Sequence, residues 1–159
     1  ANKLLSNVTS AMRERDLFLL GADLRPDEGK SIERLEAAYN DGQGISAEFN
    51  LNMLRAFNRG VGTNFDLAAF RHRAFYNERE GRIEMHLVAT RDVAFEVSGE
   101  RFTMQRGETI HTENSHKFTP RTASLLLLAG GWTPLERWTD EQDRFSVILA
   151  RATDQREAP

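Results

Sequence analysis

The stretch Gly81-Arg82-Ile83-Glu84-Met85-His86-Leu87-Val88 decides how this chain folds. Ile83, Met85 and Leu87 alternate with Glu84, His86 and Val88, the period of two that sends successive side chains to opposite faces of a strand. From about residue 72 this period replaces a helical one. Turn signals at Glu80-Gly81, Ser98-Gly99 and Arg106-Gly107 then divide the chain into expected strands at 72–78, 82–90, 93–97, 100–105 and 108–117. The expectation is an antiparallel β-meander in the middle of the sequence.

Upstream of it the spacing is helical. Leu4, Leu5, Val8 and Met12 predict a short amphipathic helix over 3–14. The continuous apolar run Leu17-Phe18-Leu19-Leu20-Gly21-Ala22, bounded by Asp16 and Asp23, reads as a fully buried strand of the kind parallel sheets contain. Asp27-Glu28-Gly29 makes a turn, and Ser31 is an N-cap for a helix whose stripe is Ile32, Leu35, Ala38 and Tyr39. After Gly42 and Gly44, Ser46 can cap a second helix. Its Phe49, Met53, Leu54 and Phe57 share a face until Gly60 and Gly62 stop it, and Asp66 caps a third short helix through Phe70. Downstream, Thr119 and Pro120 stand as N-cap and N1 of a helix that ends at Gly130-Gly131. Strands at 133–139 and 144–151 follow, joined by the turn Asp140–Asp143, and residues 154–159 read as a disordered tail.

With 159 residues, 21 basic and 24 acidic, the formal charge is −3, which excludes a basic nucleic-acid binder on global electrostatics. Size scaling lets a chain of this length bury about 70% of its unfolded surface, enough for a sizeable core. No apolar run approaches the roughly 20 residues that span a bilayer, so no membrane partner is expected. The chain has no cysteine. Disulfides, thiolate metal sites and thiol nucleophiles are thereby excluded, and a cytoplasmic location is expected, also because no signal-peptide pattern opens the sequence. The opening Ala1-Asn2-Lys3, without methionine, reads as the start of a piece of something longer.

The richest segment for chemistry is His111-Thr112-Glu113-Asn114-Ser115-His116. Strict alternation puts His111, Glu113 and Ser115 on one face and Ile110, Thr112, Asn114 and His116 on the other. A carboxylate beside a hydroxyl can accept from one nitrogen of an imidazole and donate to the other. The plainer reading is a solvated polar strand face. His86, His111, Glu113 and His116 could also converge on a metal from adjacent strands. Against this, His111 and His116 face opposite ways and no two histidines have ligand spacing, so the expectation is no metal. Glu84 with Glu113 is the only pair suggested for two-carboxylate chemistry. Gly60-Val61-Gly62 follows a helix and reads as a helix stop rather than a phosphate loop, and Ser115 sits within a strand rather than at a nucleophile elbow. Met85 and Tyr39, on their own, read as core and as a helix end.

Taken in order, Ala38-Tyr39-Asn40-Asp41-Gly42-Gln43-Gly44-Ile45-Ser46-Ala47-Glu48-Phe49-Asn50, Phe75-Tyr76-Asn77, Gly81 to Leu87, and Gly107-Glu108-Thr109-Ile110-His111-Thr112-Glu113-Asn114-Ser115 resemble one family. This is the S-adenosylmethionine-dependent methyltransferases that trimethylate the α-amino group of L-histidine in ergothioneine biosynthesis. Trp138-Thr139-Asp140 and Phe145-Ser146-Val147 fit as well, so the resemblance covers nearly the whole chain. It implies an α/β fold, α+β as an isolated piece: the C-terminal part of a class I Rossmann-like methyltransferase with an inserted helical and β-meander region. Residues 1–27 would be a late helix and strand of the parallel sheet, 28–118 the substrate-binding insertion, and 119–153 a final helix and antiparallel strand pair.

By the same resemblance, Glu113 and Ser115 hold the substrate imidazole, Met85 walls the pocket, and Tyr39 lies near the amino-acid head group. His116 stands where relatives often have a tyrosine and receives no role. The substrate would be a small amino acid, L-histidine, and the cofactor S-adenosylmethionine. The glycine-rich cofactor motif belongs to an N-terminal half that this chain lacks and that would act in cis or in trans, leaving this chain alone inactive. The alternative is a stand-alone, non-catalytic module that binds a small heterocycle.

Overall fold

The computed structural model describes residues 2–13, 16–26 and 30–153. The expected turn at Asp27-Glu28-Gly29 and the expected tail 154–159 lie outside the described residues. The fold is mixed α/β, and the chain divides into two compact units, one from Ile32 to Ser115 and one built from the residues on either side of that segment. The expectation had placed the corresponding boundaries at 28 and 118.

The flanking unit contains α1 (Asn2–Ala11), β1 (Leu17–Asp23), α4 (Pro120–Ala129), β7 (Trp132–Thr139) and β8 (Phe145–Ala152). Its sheet has the order β1-β8-β7, with both pairings antiparallel. Every second residue of β8, namely Ser146, Ile148, Ala150 and Ala152, is buried. Ile148, Ala150 and Ala152 join Leu5, Ala22, Ala123, Leu127 and Trp132 in one core. Trp132 is fully enclosed, its indole N–H donates to the Leu5 carbonyl at 3.3 Å, and its ring centroid lies 4.9 Å from that of Phe18. α4 opens with a capping box between Thr119 and Thr122, with Pro120 at its first turn as the sequence predicts. It closes at Gly130, where a Cβ would come within 2.5 Å of the Leu5 Cβ, so only glycine lets α1 pack this closely.

β1 departs from expectation. Leu17 and Leu19 are 56% and 62% exposed, and among the described strands β1 pairs only with β8, antiparallel from Leu17↔Arg151 to Asp23↔Phe145. Among the described residues it lies at the edge of the sheet, with Phe18 and Leu20 on the core and Leu17 and Leu19 exposed, rather than buried on both faces. Hydrophobicity in the run reports an apolar surface but not what covers it.

The Ile32–Ser115 unit begins with α2 (Ile32–Tyr39) and α3 (Ile45–Gly60). α3 is capped by Asp41 rather than by Ser46, the Asp41 carboxylate accepting from the amides of Ile45 and Ser46 at 2.9 and 2.8 Å. The hydrogen bonds from Ser46, then Ile45, lower its pKa to about 2. α3 buries Asn50 and Leu54, while Phe49 and Phe57 are exposed, so the face it packs is rotated from the one expected. The third helix is a single 3-10 turn, Leu67–Ala69, capped by Asp66 as expected, and Phe70 already opens a strand.

The strands are β2 (Phe70–Asn77), β3 (Arg82–Ala89), β4 (Val93–Val97), β5 (Glu100–Met104) and β6 (Thr109–His116). They do not form one meander. β2, β3 and β6 make a three-stranded sheet in the order β2-β3-β6, and β4-β5 is a separate hairpin that branches off between β3 and β6. Local alternation gives each strand but not its neighbour, which is how the expectation missed the branch. Ala69, Phe70, Leu87 and Ala89 pack with Leu54, while Ala74, Ile83 and Met85 pack with Leu35 of α2.

At the end of β1, Asp23 pairs with the ammonium groups of Lys30 and, at 2.7 Å, Lys117. Both lysines are buried, and Lys30 also donates to the carbonyls of Leu24 and Arg144 at 2.9 and 3.3 Å. Burial pushes the Asp23 carboxyl up, but hydrogen bonds from Lys117 and Lys30 outweigh this and hold it below the usual carboxylate value. Asp23→Asn removes the counter-charge of two buried ammonium groups and is expected to destabilise the flanking unit by about 2–3 kcal/mol, the low end for breaking a buried pair because the carboxylate keeps some exposure. Urea unfolding of the variant against the parent measures this.

Candidate functional site

Tyr39, Met85, Glu113 and Ser115 all lie in the Ile32–Ser115 unit, whereas His116 belongs to the flanking unit. Met85, 4% exposed, points from β3 into the cluster of Leu35, Ala74 and Ile83, because β3 alternation sends odd positions inward. Tyr39, at the last turn of α2, packs against the same cluster, and its hydroxyl lies 2.8 Å from the Ser115 Oγ at the end of β6. Tyr39 therefore meets both Ser115 and the cluster that holds Met85. Glu113 is exposed and lines, with Thr112 and α3 residues Phe49, Asn50, Asn52 and Met53, an adjoining cleft of about 220 Å³.

β6 does not alternate strictly. Thr112 reaches inward, its hydroxyl donating to the Met85 carbonyl at 2.8 Å. His111 and Asn114, expected on opposite faces, are joined by a 2.8 Å contact between His111 Nε2 and Asn114 Oδ1, and His111 Nε2 also lies 3.2 Å from the Glu113 carbonyl. The alternation of burial breaks between Glu113 and Asn114, so His111 and Glu113 stay exposed while Ser115 turns partly inward, and the three do not share a face.

Residues 1–152 match the family described as histidine-specific methyltransferase, S-adenosylmethionine-dependent. The chain belongs to this methyltransferase family. Histidine N-alpha-methyltransferases from Mycobacterium tuberculosis and Mycolicibacterium smegmatis are 38% and 37% identical over 150 residues, 93% of this chain and 46% of each relative. The ergothioneine biosynthesis protein 1 of Neurospora crassa is 31% identical over 155 residues, 96% of this chain and 17% of that protein. The chain thus spans about half the length of the bacterial relatives. Among solved structures, a methyltransferase from Clostridium acetobutylicum aligns at 10% identity with a TM-score of 0.43, over 96% of this chain and 51% of that one. The CcbJ methyltransferase from Streptomyces caelestis aligns at 11% and 0.44, over 96% and 50%.

In this family member the other face of the sheet carries a polar column. Arg73 lies over the Phe75 ring, Phe75 stacks on His86 at 5.2 Å, and His86 stacks on His111 at 4.6 Å with their planes 8° apart. Glu84, buried beside it, accepts from Arg82 at 2.8 and 3.0 Å and from Asn77 at 3.0 Å, and its second oxygen is 3.3 Å from His86 Nε2. Glu84 is thereby committed to Arg82 and does not pair with Glu113. One ligand atom from each of Glu84, His86 and His111 falls within 4.8 Å of the others, a set that includes neither Glu113 nor His116. Near-parallel rings at this spacing aim their lone pairs along separate planes, so one ion cannot lie in both, and a guanidinium already neutralises the carboxylate.

Sequence reasoning missed Asn50 and His72. Asn50 Nδ2 lies 3.0 Å from His72 Nδ1 and 3.2 Å from the His86 carbonyl, and His72 Nε2 lies 2.8 Å from the Tyr39 carbonyl. The available signal was Asn50 standing four residues before Leu54, a polar side chain on the buried face of a helix.

Hydrogen bonds from Arg82, then from His86 and Asn77, outweigh the effect of burial and lower the Glu84 pKa to about 2. Because the folded value lies below the unfolded one, Glu84 contributes its full stabilisation above about pH 4.5 and loses it as pH falls toward about 2. The stability difference between the parent and Glu84→Gln is expected to be constant from pH 7 to 5 and to shrink below pH 4.5, as followed by urea unfolding at a series of pH values.

Proposed function

We propose that this chain is the substrate-binding, C-terminal half of a methyltransferase that transfers methyl groups from S-adenosylmethionine to the α-amino group of L-histidine. The observation that carries the reading is the meeting of Tyr39 and Ser115 at 2.8 Å beside buried Met85, with Glu113 on the adjoining cleft, in a chain of the histidine-specific family. The Ile32–Ser115 unit is the substrate-binding insertion in this reading.

In this reading Glu113 accepts the N–H of the substrate imidazole and the Ser115 hydroxyl serves its other nitrogen, the ring bridging the break in β6 that sets the two side chains on different faces. Met85 packs against the ring, and the Tyr39 hydroxyl, through Ser115, belongs to the ring end of the pocket rather than only to the head group. With the ring held, the α-nitrogen is presented to the methyl donor. The contribution to rate is proximity and orientation, with no nucleophile supplied by these side chains.

Among the described residues no glycine-rich turn joins a strand to a helix. The connection from β6 to α4, Lys117-Phe118-Thr119, has no glycine, and Gly60 and Gly62 close a helix rather than joining a strand to one. S-adenosylmethionine is therefore assigned to the N-terminal half, in the same polypeptide or in a separate chain.

Glu113→Ala in the protein that carries both halves is expected to raise the KM for L-histidine more than tenfold, because the imidazole donor loses a charged acceptor worth about 1.5–3 kcal/mol. Steady-state methyl transfer with histidine, tryptophan and tyrosine as acceptors checks both the effect and the choice of substrate. Unchanged histidine kinetics would remove Glu113 from the site. Heterocycle binding without methyl transfer, with the cofactor half supplied, would favour the non-catalytic module.

A further inference from the structure

Asn50 is 3% exposed, and its amide nitrogen reaches two groups at once, the His86 carbonyl at 3.2 Å and His72 Nδ1 at 3.0 Å. A carbonyl oxygen only accepts, so the amide must turn an N–H toward His86. The flipped amide would set its oxygen against the His86 oxygen with no proton between them. Its second N–H is then aimed at His72 Nδ1, which must be the bare, accepting nitrogen. The proton of the neutral ring is left on Nε2, where it donates to the Tyr39 carbonyl at 2.8 Å. That carbonyl is at the last residue of α2, among the groups a helix leaves without an internal partner. One backbone carbonyl of β3 thus fixes an amide on α3, a tautomer on β2 and the end of α2.

We propose that Asn50 and His72 are positioning residues for Tyr39, holding its hydroxyl against Ser115 and so setting the affinity for the amino-acid substrate. The inference rests on the reading of Tyr39 and Ser115 as part of the substrate pocket. Neither Asn50 nor His72 has to touch the reacting atoms. The end of α2 is separately tied to β2 by Asn40, which accepts from the Ala74 amide at 3.0 Å and donates to its carbonyl at 2.9 Å. Losing the His72 bonds therefore shifts Tyr39 without releasing the helix.

The test uses the full protein that carries this chain. In the unsubstituted protein, 15N spectra of the imidazoles are expected to show His72 as the Nε2–H tautomer at neutral pH; an Nδ1–H tautomer or a doubly protonated ring would overturn the proposal. His72→Phe keeps the ring volume and removes both bonds. The KM for L-histidine is expected to rise about tenfold, with the KM for S-adenosylmethionine unchanged. Nuclear Overhauser contacts between the Tyr39 ring and Ser115 should weaken in parallel. A fall in kcat alone, with both KM values and the Tyr39–Ser115 contacts intact, would show that His72 only supports folding and would sink the idea. If His72→Phe does not fold, the tautomer of the unsubstituted protein decides. If the unsubstituted protein methylates no amino acid, the proposed function fails, whereas the tautomer and the Tyr39 contacts still decide whether the pair positions Tyr39.

Discussion

The carboxylate of Asp23 is the constraint on which the flanking unit depends. It sits at the end of β1 and binds Lys30 and Lys117, the buried cations next to the two points where the chain leaves this unit and returns to it. Phe118 donates to the Asp23 carbonyl at 2.9 Å and its own carbonyl accepts from Arg25 at 2.9 Å, so the ion pairs are reinforced by backbone bonds between segments nearly a hundred residues apart. Two ammonium groups in an apolar setting are tolerable only with a shared counter-charge and further acceptors, which the carbonyls of Leu24 and Arg144 supply to Lys30. A three-stranded sheet assembled from both ends of a chain needs such a fixed point, since loop closure over that length opposes its formation.

Much of this was legible in the sequence, for stated reasons. Thr119-Pro120 and Gly130-Gly131 marked both ends of α4 because caps act within a few residues. The β3 alternation placed Met85 inward because its inner face is apolar and its outer face is not. What escaped were matters settled by distant residues. The β4-β5 hairpin leaves the sheet, Leu17 and Leu19 face outward, and Asp41 displaces Ser46 as the cap of α3 by reaching two amides at once. Nothing in the local sequence marks Lys30 and Lys117 as buried; Asp23, which pairs with both, is what makes their burial tolerable.

The candidate site shows the same division. Met85 and Tyr39 came from resemblance alone, Glu113 and Ser115 also from strand alternation, and Tyr39 meets both Ser115 and the cluster that holds Met85. The break in alternation between Glu113 and Asn114 could not be read from the sequence, where the run is polar on both faces. The histidines themselves divide by surroundings. His72 is ordered by a buried amide, whereas His86 and His111 lie in a stacked column beside a glutamate that a guanidinium already holds.

The open side of β1 has a practical consequence. Among the described residues β1 is paired along one edge only and shows two exposed leucines, which makes it a template for pairing with another strand. Concentrated solutions of this chain on its own will therefore tend toward edge-to-edge association through Leu17–Asp23, and a charged residue in place of Leu19 is the substitution that would keep it dispersed without entering the Trp132 core.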